Sequence, residues 1–248
     1  MQRLHFLYHE LRTEESQYSY VVRASEFEKQ MALFQSRQTE NPAALLPKVT
    51  FDDGHLSDFT VALPILQAKG MQARFFITAG WTGQRAGYMG WPELRELHAA
   101  GQAIGAHGWS HTLLTHCDAN QLRHELQDAR IQLENGLGDV VETMSLPGGR
   151  YDQKVLAACR EAGYRQIFTS IPKAETVAED FLVGRLNVVG GMSLEWIEGV
   201  LDSKSTVLTR LERQYKVKAF AKGLLGDSLY ARLWSLVNRS EPQMGEEA

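Results

Sequence analysis

Lys48-Val49-Thr50-Phe51-Asp52-Asp53-Gly54 reads as a short strand that runs straight into a turn bearing two adjacent carboxylates. Side chains alternate along a strand, so Asp52 and Asp53 are expected to point in different directions. One can then bind a cation while the other faces a substrate or water. A turn in which Asp and Gly simply suit the backbone is the plainer reading. Directly downstream, Ser57 to Ala68 has helical apolar spacing and Gly70 suits a C-cap. Ala73 to Thr78 is the next strand. This strand–turn–helix–strand unit points to an α/β fold with a mainly parallel sheet.

The rest of the chain repeats the alternation. Leu4 to Tyr8 is a buried strand ending in His9-Glu10, and residues 11 to 24 read as a loop. A helix starts at Ser25, with Glu28 completing a capping box and Phe27, Met31 and Phe34 on one face. Asn41-Pro42 ends it. Trp91 to Ala100 is a helix closed by Gly101, and Ala103 to Ala106 is a strand leading into His107. Asn120 to Asn135 is a long helix with Leu122, Leu126, Ala129 and Leu133 aligned. Glu142 to Leu146 is a strand, Gln153 to Ala162 a helix, and Arg165 to Ser170 and Phe181 to Val189 are further strands.

Composition narrows the class. Of 248 residues, 44% are hydrophobic and 23% charged, as in an ordinary globular protein. A net charge of −4 lacks the basic footprint of a general nucleic-acid binder. Cys117 and Cys159 cannot build a disulfide scaffold and read as free thiols. No apolar run approaches the ~20 residues of a membrane span. The first residues lack the apolar core and cleavage site of a secretory leader, so a cytoplasmic location is expected. Residues 203–240 differ from the rest: they carry eight Lys or Arg against two acidic residues, with four aromatics. The reading is therefore a domain over 1–202 and a basic amphipathic helical extension with an acidic tail over 203–248. That extension either packs on the domain or makes peripheral contact with an anionic membrane surface through 203–240.

Two further motifs carry chemistry. In His107-Gly108-Trp109-Ser110-His111, histidines at i and i+4 share one face of a helix or turn and can bind one metal ion. They follow a strand, as Asp52-Asp53 does, so both belong at the same edge of a parallel sheet, where α/β folds place active sites. Two histidines and one carboxylate leave coordination positions open, the pattern of a catalytic metal, and the same set can hold non-haem Fe(II). The third motif, Ser145-Leu146-Pro147-Gly148-Gly149-Arg150-Tyr151, again follows a strand. Its glycines allow a close backbone approach to a ligand, and an N–H there can stabilise an oxyanion.

These motifs, in this order, resemble the polysaccharide deacetylase family (the NodB-homology domain, carbohydrate esterase family four). Thr50 to Gly54 matches the first family motif without change. The second, His-(Ser/Thr)-x-x-His, is matched at 107–111 with Gly108 in place of the hydroxyl residue. Pro147-Gly148-Gly149 stands where the family often has Pro-Tyr-Gly or Pro-Phe-Gly. The motif arginine two residues before that proline is Ser145 here, and Arg150 is the candidate to replace it. The family's Asp-rich fourth motif is not recognisable.

Over residues 4–195 the resemblance implies a distorted (β/α) barrel and metal-dependent removal of an acyl group from a sugar. Carried over by position, Asp52 is the general base and Asp53, His107 and His111 are the ligands of a divalent metal, Zn2+ first among the candidates. The Gly148 N–H is the proposed oxyanion donor. Many family members supply a late histidine as general acid, but none follows His124 here. Phe6 to Glu10 resembles the permuted arrangement of deacetylases acting on poly-N-acetylglucosamine, which makes His9 the acid, with His55 the second candidate. Trp81, Trp91 and Trp109 are candidates to stack on sugar rings. The implied substrate is an acylated sugar or polysaccharide intermediate of surface-polysaccharide synthesis. A small non-sugar amide, or a catalytically degenerate carbohydrate-binding role suggested by the missing arginine and late histidine, stands as the alternative. Oligomeric state is not legible.

Overall fold

The computed structural model describes residues 2–40, 45–175, 180–202 and 205–225. In chain order the elements are β1 (Arg3–Tyr8), β2 (Glu10–Arg12), β3 (Val21–Arg23), α1 (Ala24–Glu40), β4 (Leu46–Phe51), α2 (Leu63–Ala68), β5 (Ala73–Ile77), α3 (Trp91–Ala99) and β6 (Ala103–Ala106). Then come α4 (Ala119–Arg123), α5 (Ala129–Leu137), β7 (Thr143–Ser145), α6 (Gln153–Glu161), β8 (Gln166–Phe168), β9 (Leu182–Val183), β10 (Arg185–Asn187), α7 (Leu194–Leu201) and α8 (Val207–Leu225). The expected helix stop at Asn41-Pro42 and the tail over 226–248 lie outside the described residues.

The main sheet runs β10-β1-β4-β5-β6-β7-β8-β9, and every pairing in it is parallel. Only Gly184 separates β9 from β10. β9 pairs with β8, and β10 pairs with β1. One short stretch of chain therefore joins both edges of the sheet and closes it into a barrel. A side chain at Gly184 would sit 2.7 Å from the carbonyl oxygens of Ile171 and Lys173, so glycine permits the crossing. The α/β barrel expected from the motifs is thus present.

Alternation across the strands makes two cores. Facing the helices, Phe6 packs on Phe34, Tyr8 on Phe27, and Phe51 stacks on Phe75 at 4.8 Å. Inside the barrel, Phe76, Phe168 and Val183 form a separate cluster. His5 stands edge-on to Phe168, and the Arg185 guanidinium lies over Phe76. Phe75 and Phe76, adjacent in sequence, thus go to opposite sides of one strand. Full burial of each such ring contributes about 1.5–3 kcal/mol.

Local differences from the sequence reading have identifiable causes. Residues 11–24, expected as a loop, hold the end of β2 and all of β3, which pair in parallel as a small second sheet. The helices expected from Ser57 and from Asn120 are present, but each includes a π turn, Asp58–Ala62 before α2 and His124–Asp128 between α4 and α5. The first turns of α8 lay Leu208 and Leu211 against the main core. Among the described residues no helix is long and apolar enough to cross a membrane.

Candidate metal centre and its catalytic neighbours

At the C-terminal end of β4 the Asp52 N–H still donates to the Tyr8 carbonyl, so Asp52 remains in register with β1. Asp53 leaves the strand with φ 77°, and Gly54 follows at φ 83°. The two carboxylates take different partners, Asp53 facing His107 and His111 and Asp52 facing Arg185 and Ser145. Asp52 Oδ2 lies 3.9 Å and Asp53 Oδ1 3.3 Å from the same atom, Nε2 of His107. Strand alternation stops applying once the backbone turns left-handed.

His107 follows β6 and is 2% exposed. Its Nδ1 lies 2.9 Å from the Ser145 carbonyl oxygen. A carbonyl can only accept, so Nδ1 carries the proton and Nε2 is free to bind a metal. The chain then bends at Gly108 (φ 79°) and again at His111 (φ 63°). Of the two expected devices, a helix or a turn, the structure uses a bent turn, because residues 107–113 are not helical. Two left-handed bends bring His111 Nε2 to 3.3 Å from Asp53 Oδ1. Asp53 and His111 are the two non-glycine residues with positive φ among those described. Such backbone costs about 1–3 kcal/mol per residue and clusters at functional sites.

Asp53, His107 and His111 each present one donor atom, all within 4.8 Å of one another. Asp53 Oδ1 is buried and has no hydrogen-bond partner. Burial would raise the Asp53 pKa, but His107, His9 and His111 hold it well below the ordinary carboxylate range. Burial and the neighbouring His107 push His111 down to about 4. An ionised carboxylate, an orphaned oxygen and converging imidazole nitrogens fit a divalent transition-metal cation.

Asp52 beside them is 3% exposed. Its Oδ1 accepts from Arg185 Nη1 at 2.6 Å, and its Oδ2 accepts from Arg185 Nη2 at 2.8 Å and from Ser145 Oγ at 2.8 Å. Arg185 is fully buried on β10, and its Nε donates to the Thr169 carbonyl. Burial would raise the Asp52 pKa, yet Arg185 and His107 outweigh it and keep the carboxylate ionised. This corrects the expectation for Arg150, which has Tyr215 of α8 as an electrostatic neighbour. Ser145, at the position of the family's motif arginine, bridges instead: its Oγ also receives Arg185 Nη2 at 2.7 Å. The available signal was a lone Arg inside the expected strand Phe181 to Val189.

His9 emerges from β1 with its ring 4.8 Å from that of Tyr20 and a buried, unpartnered Nδ1. Burial lowers its pKa, and Asp53 and Asp52 offset only part of this. His55 is engaged elsewhere: its Nδ1 lies 2.9 Å from Ser57 Oγ, and its Nε2 lies 3.7 Å from Glu10 Oε1. Gly148 has φ 62°, and a side chain there would meet Leu113 at 2.7 Å. Of the three tryptophans, Trp81 borders the metal corner, 5.4 Å from the His111 ring and 4.7 Å from Tyr88. Trp91 packs against Gly136 of α5, and the Trp109 ring lies 4.6 Å from that of His124 at a tilt of 41°, so both serve packing.

The profile of the family described as Polysaccharide deacetylase matches residues 41–167, just over half of the chain. YxkH of Bacillus subtilis (strain 168) is 27% identical over 157 residues, covering 63% of this chain and 56% of that protein. A chitin deacetylase of Pestalotiopsis sp is 27% identical over 136 residues, covering 55% and 45%. The chain thus spans about half the length of these curated relatives. The solved Streptococcus pyogenes deacetylase PplD, in complex with acetate, shares the fold with a TM-score of 0.72 at 19% identity, over 82% of this chain and 99% of that one. Motifs, barrel and family profile together establish that the chain belongs to the polysaccharide deacetylase family.

Proposed function

We propose that this chain is a metal-dependent hydrolase that removes an N-acetyl group from a sugar or polysaccharide precursor. The observation that carries the reading is Asp53 Oδ1 lying 3.3 Å from both His107 Nε2 and His111 Nε2, beside a buried Asp52 clamped by Arg185. Asp53, His107 and His111 would hold the cation, with Zn2+ the proposed identity. When bound, such a cation supplies Lewis acidity, making water a stronger nucleophile at neutral pH and polarising an acyl carbonyl.

The protein's own groups do the rest. Asp52, kept ionised by Arg185, accepts the water's proton at Oδ2, the oxygen nearer His107. The Gly148 N–H is the proposed donor to the acyl oxygen as charge develops there. His9, with its unpartnered Nδ1, is the proposed proton source for the leaving amine. Trp81 and Tyr88, with the Arg85 guanidinium 4.2 Å from the Trp81 ring centre, form an aromatic corner beside His111 that is the proposed contact for a sugar ring. We further propose a sugar intermediate of surface-polysaccharide synthesis as substrate, a cytoplasmic setting, and peripheral contact with an anionic membrane through 203–240. The two buried free cysteines support a reducing compartment, and the basic composition of 203–240 supports the membrane contact.

Acetate release tests the function. The zinc-loaded chain should release acetate from N-acetylglucosamine oligomers faster than from simple acetamides. Turnover of the acetamides alone would move the reading to a small-amide hydrolase. Bound zinc with no acetate from any acylated sugar would leave a carbohydrate-binding protein.

A further inference from the structure

We propose that Glu125 is the positioning residue that bends the Gly108–His111 loop into the shape His111 needs to meet Asp53; this rests on reading Asp53, His107 and His111 as the metal ligands. Glu125 is 4% exposed, and no basic side chain pairs with it among the described residues. Its carboxylate is satisfied by the loop alone. Oε2 accepts from the backbone N–H of Trp109 at 2.8 Å and of Ser110 at 3.0 Å, and Oε1 accepts from Ser110 Oγ at 2.6 Å. A charged acceptor makes each of these bonds stronger than a neutral one. All three act on the two residues just before His111, whose φ of 63° must be held against its intrinsic cost.

Two independent features show that this contact is built. Glu125 lies in the π turn His124–Asp128. Such a turn inserts a residue into the helical repeat and re-aims the side chains around it, which is why it recurs at functional sites. Gly108 supplies the second feature. A Cβ at that position would sit 2.9 Å from Glu125 Oε2. The hydroxyl residue that the family motif places at 108 would therefore compete for the space that the carboxylate occupies. Here the loop-holding group comes from the helix α4–α5, and glycine at 108 makes room for it.

The test uses the full chain, with zinc affinity read by chelator competition and thermal stability read on metal-free protein. Glu125→Ala should weaken zinc binding ~10–100-fold, the range seen when groups that orient metal ligands are removed. It should also shift the visible absorption bands of the cobalt-loaded protein. Glu125→Gln keeps an oxygen for the backbone donors and should recover most of the affinity. Leu133→Ala, in the buried face of the same helix, serves as the control: it should lower the melting temperature and leave zinc affinity unchanged. If Glu125→Ala fails to fold, Ser110→Ala removes only the Oε1 contact and should give a smaller loss of affinity. Wild-type zinc affinity in both Glu125→Ala and Ser110→Ala, or a loss matched by Leu133→Ala, would overturn the proposal. Wild-type protein that binds no zinc would instead overturn the metal centre itself.

Discussion

Asp52 holds a negative charge in a nearly dry site, and the planar fork of Arg185 makes that possible. Replacing Arg185 with Met leaves a buried carboxylate without its cation, a change that costs about 3–5 kcal/mol. Denaturant unfolding should show this loss, and an unchanged midpoint would contradict it. In any Arg185→Met protein that folds, the Asp52 pKa rises. The acid limb of the kcat/KM profile should then move to higher pH. Asp52→Asn should lower kcat by about 10^2–10^4-fold, the range for a lost general base, while zinc affinity stays near wild type. A comparable loss of zinc would assign Asp52 to the metal instead. At this scale the sequence was most legible where chemistry is local. Asp52, Asp53, His107 and His111 sit in two short motifs. Arg185 stood out only as a lone charge in a strand, and its pairing with Asp52 was not legible, because the two residues lie 133 positions apart and meet through barrel closure, which local periodicity does not encode.

Elements were readable in kind and less so in detail. Leu122, Leu126, Ala129 and Leu133 mark one helical face, and the helix is there, but an apolar pattern averages over the π turn within it. The i, i+4 spacing of His107 and His111 left a helix or a turn open, and a glycine and a histidine with positive φ make it a doubly bent loop. Positive φ at Gly108 is compatible with the sequence; positive φ at His111 is uncommon for any non-glycine residue, although histidine tolerates it better than most, so propensity alone does not locate it. Helix-to-helix packing gives a sharp prediction. Trp91 of α3 lies so close to Gly136 of α5 that a methyl group there would collide with its ring. Gly136→Ala should therefore destabilise by about 1–3 kcal/mol through overpacking, despite alanine's better helix propensity. A stabilised Gly136→Ala protein, measured by thermal unfolding, would show that the two helices are free to part.

Across the whole molecule, closure of the barrel decides both the site and the response to acid. The closing stretch from Leu182 to Asn187 brings Arg185 across to Asp52 and covers the polar interior where His5 meets Glu175 at 3.1 Å. Burial keeps the His5 pKa below 6.5, although Glu175 pulls it upward. The unfolded chain takes up a proton at His5 near pH 6.5, and the folded chain does so only at lower pH. The contribution of His5 is therefore fully present above that pH and is lost as pH falls through the window between the two values. His5→Gln, which keeps a hydrogen bond to Glu175 without titrating, should flatten the melting-temperature curve in this window, and an unaltered slope would contradict the assignment.

The most direct measurement strips the chain of metal, adds Zn2+ in steps, and follows acetate release from N-acetylglucosamine oligomers alongside an Asp53→Asn protein. Activity should climb to a plateau at one zinc per chain, and Asp53→Asn should stay inactive through the same range. Acetate release that survives stripping, or an Asp53→Asn protein that reloads like wild type, would contradict the account.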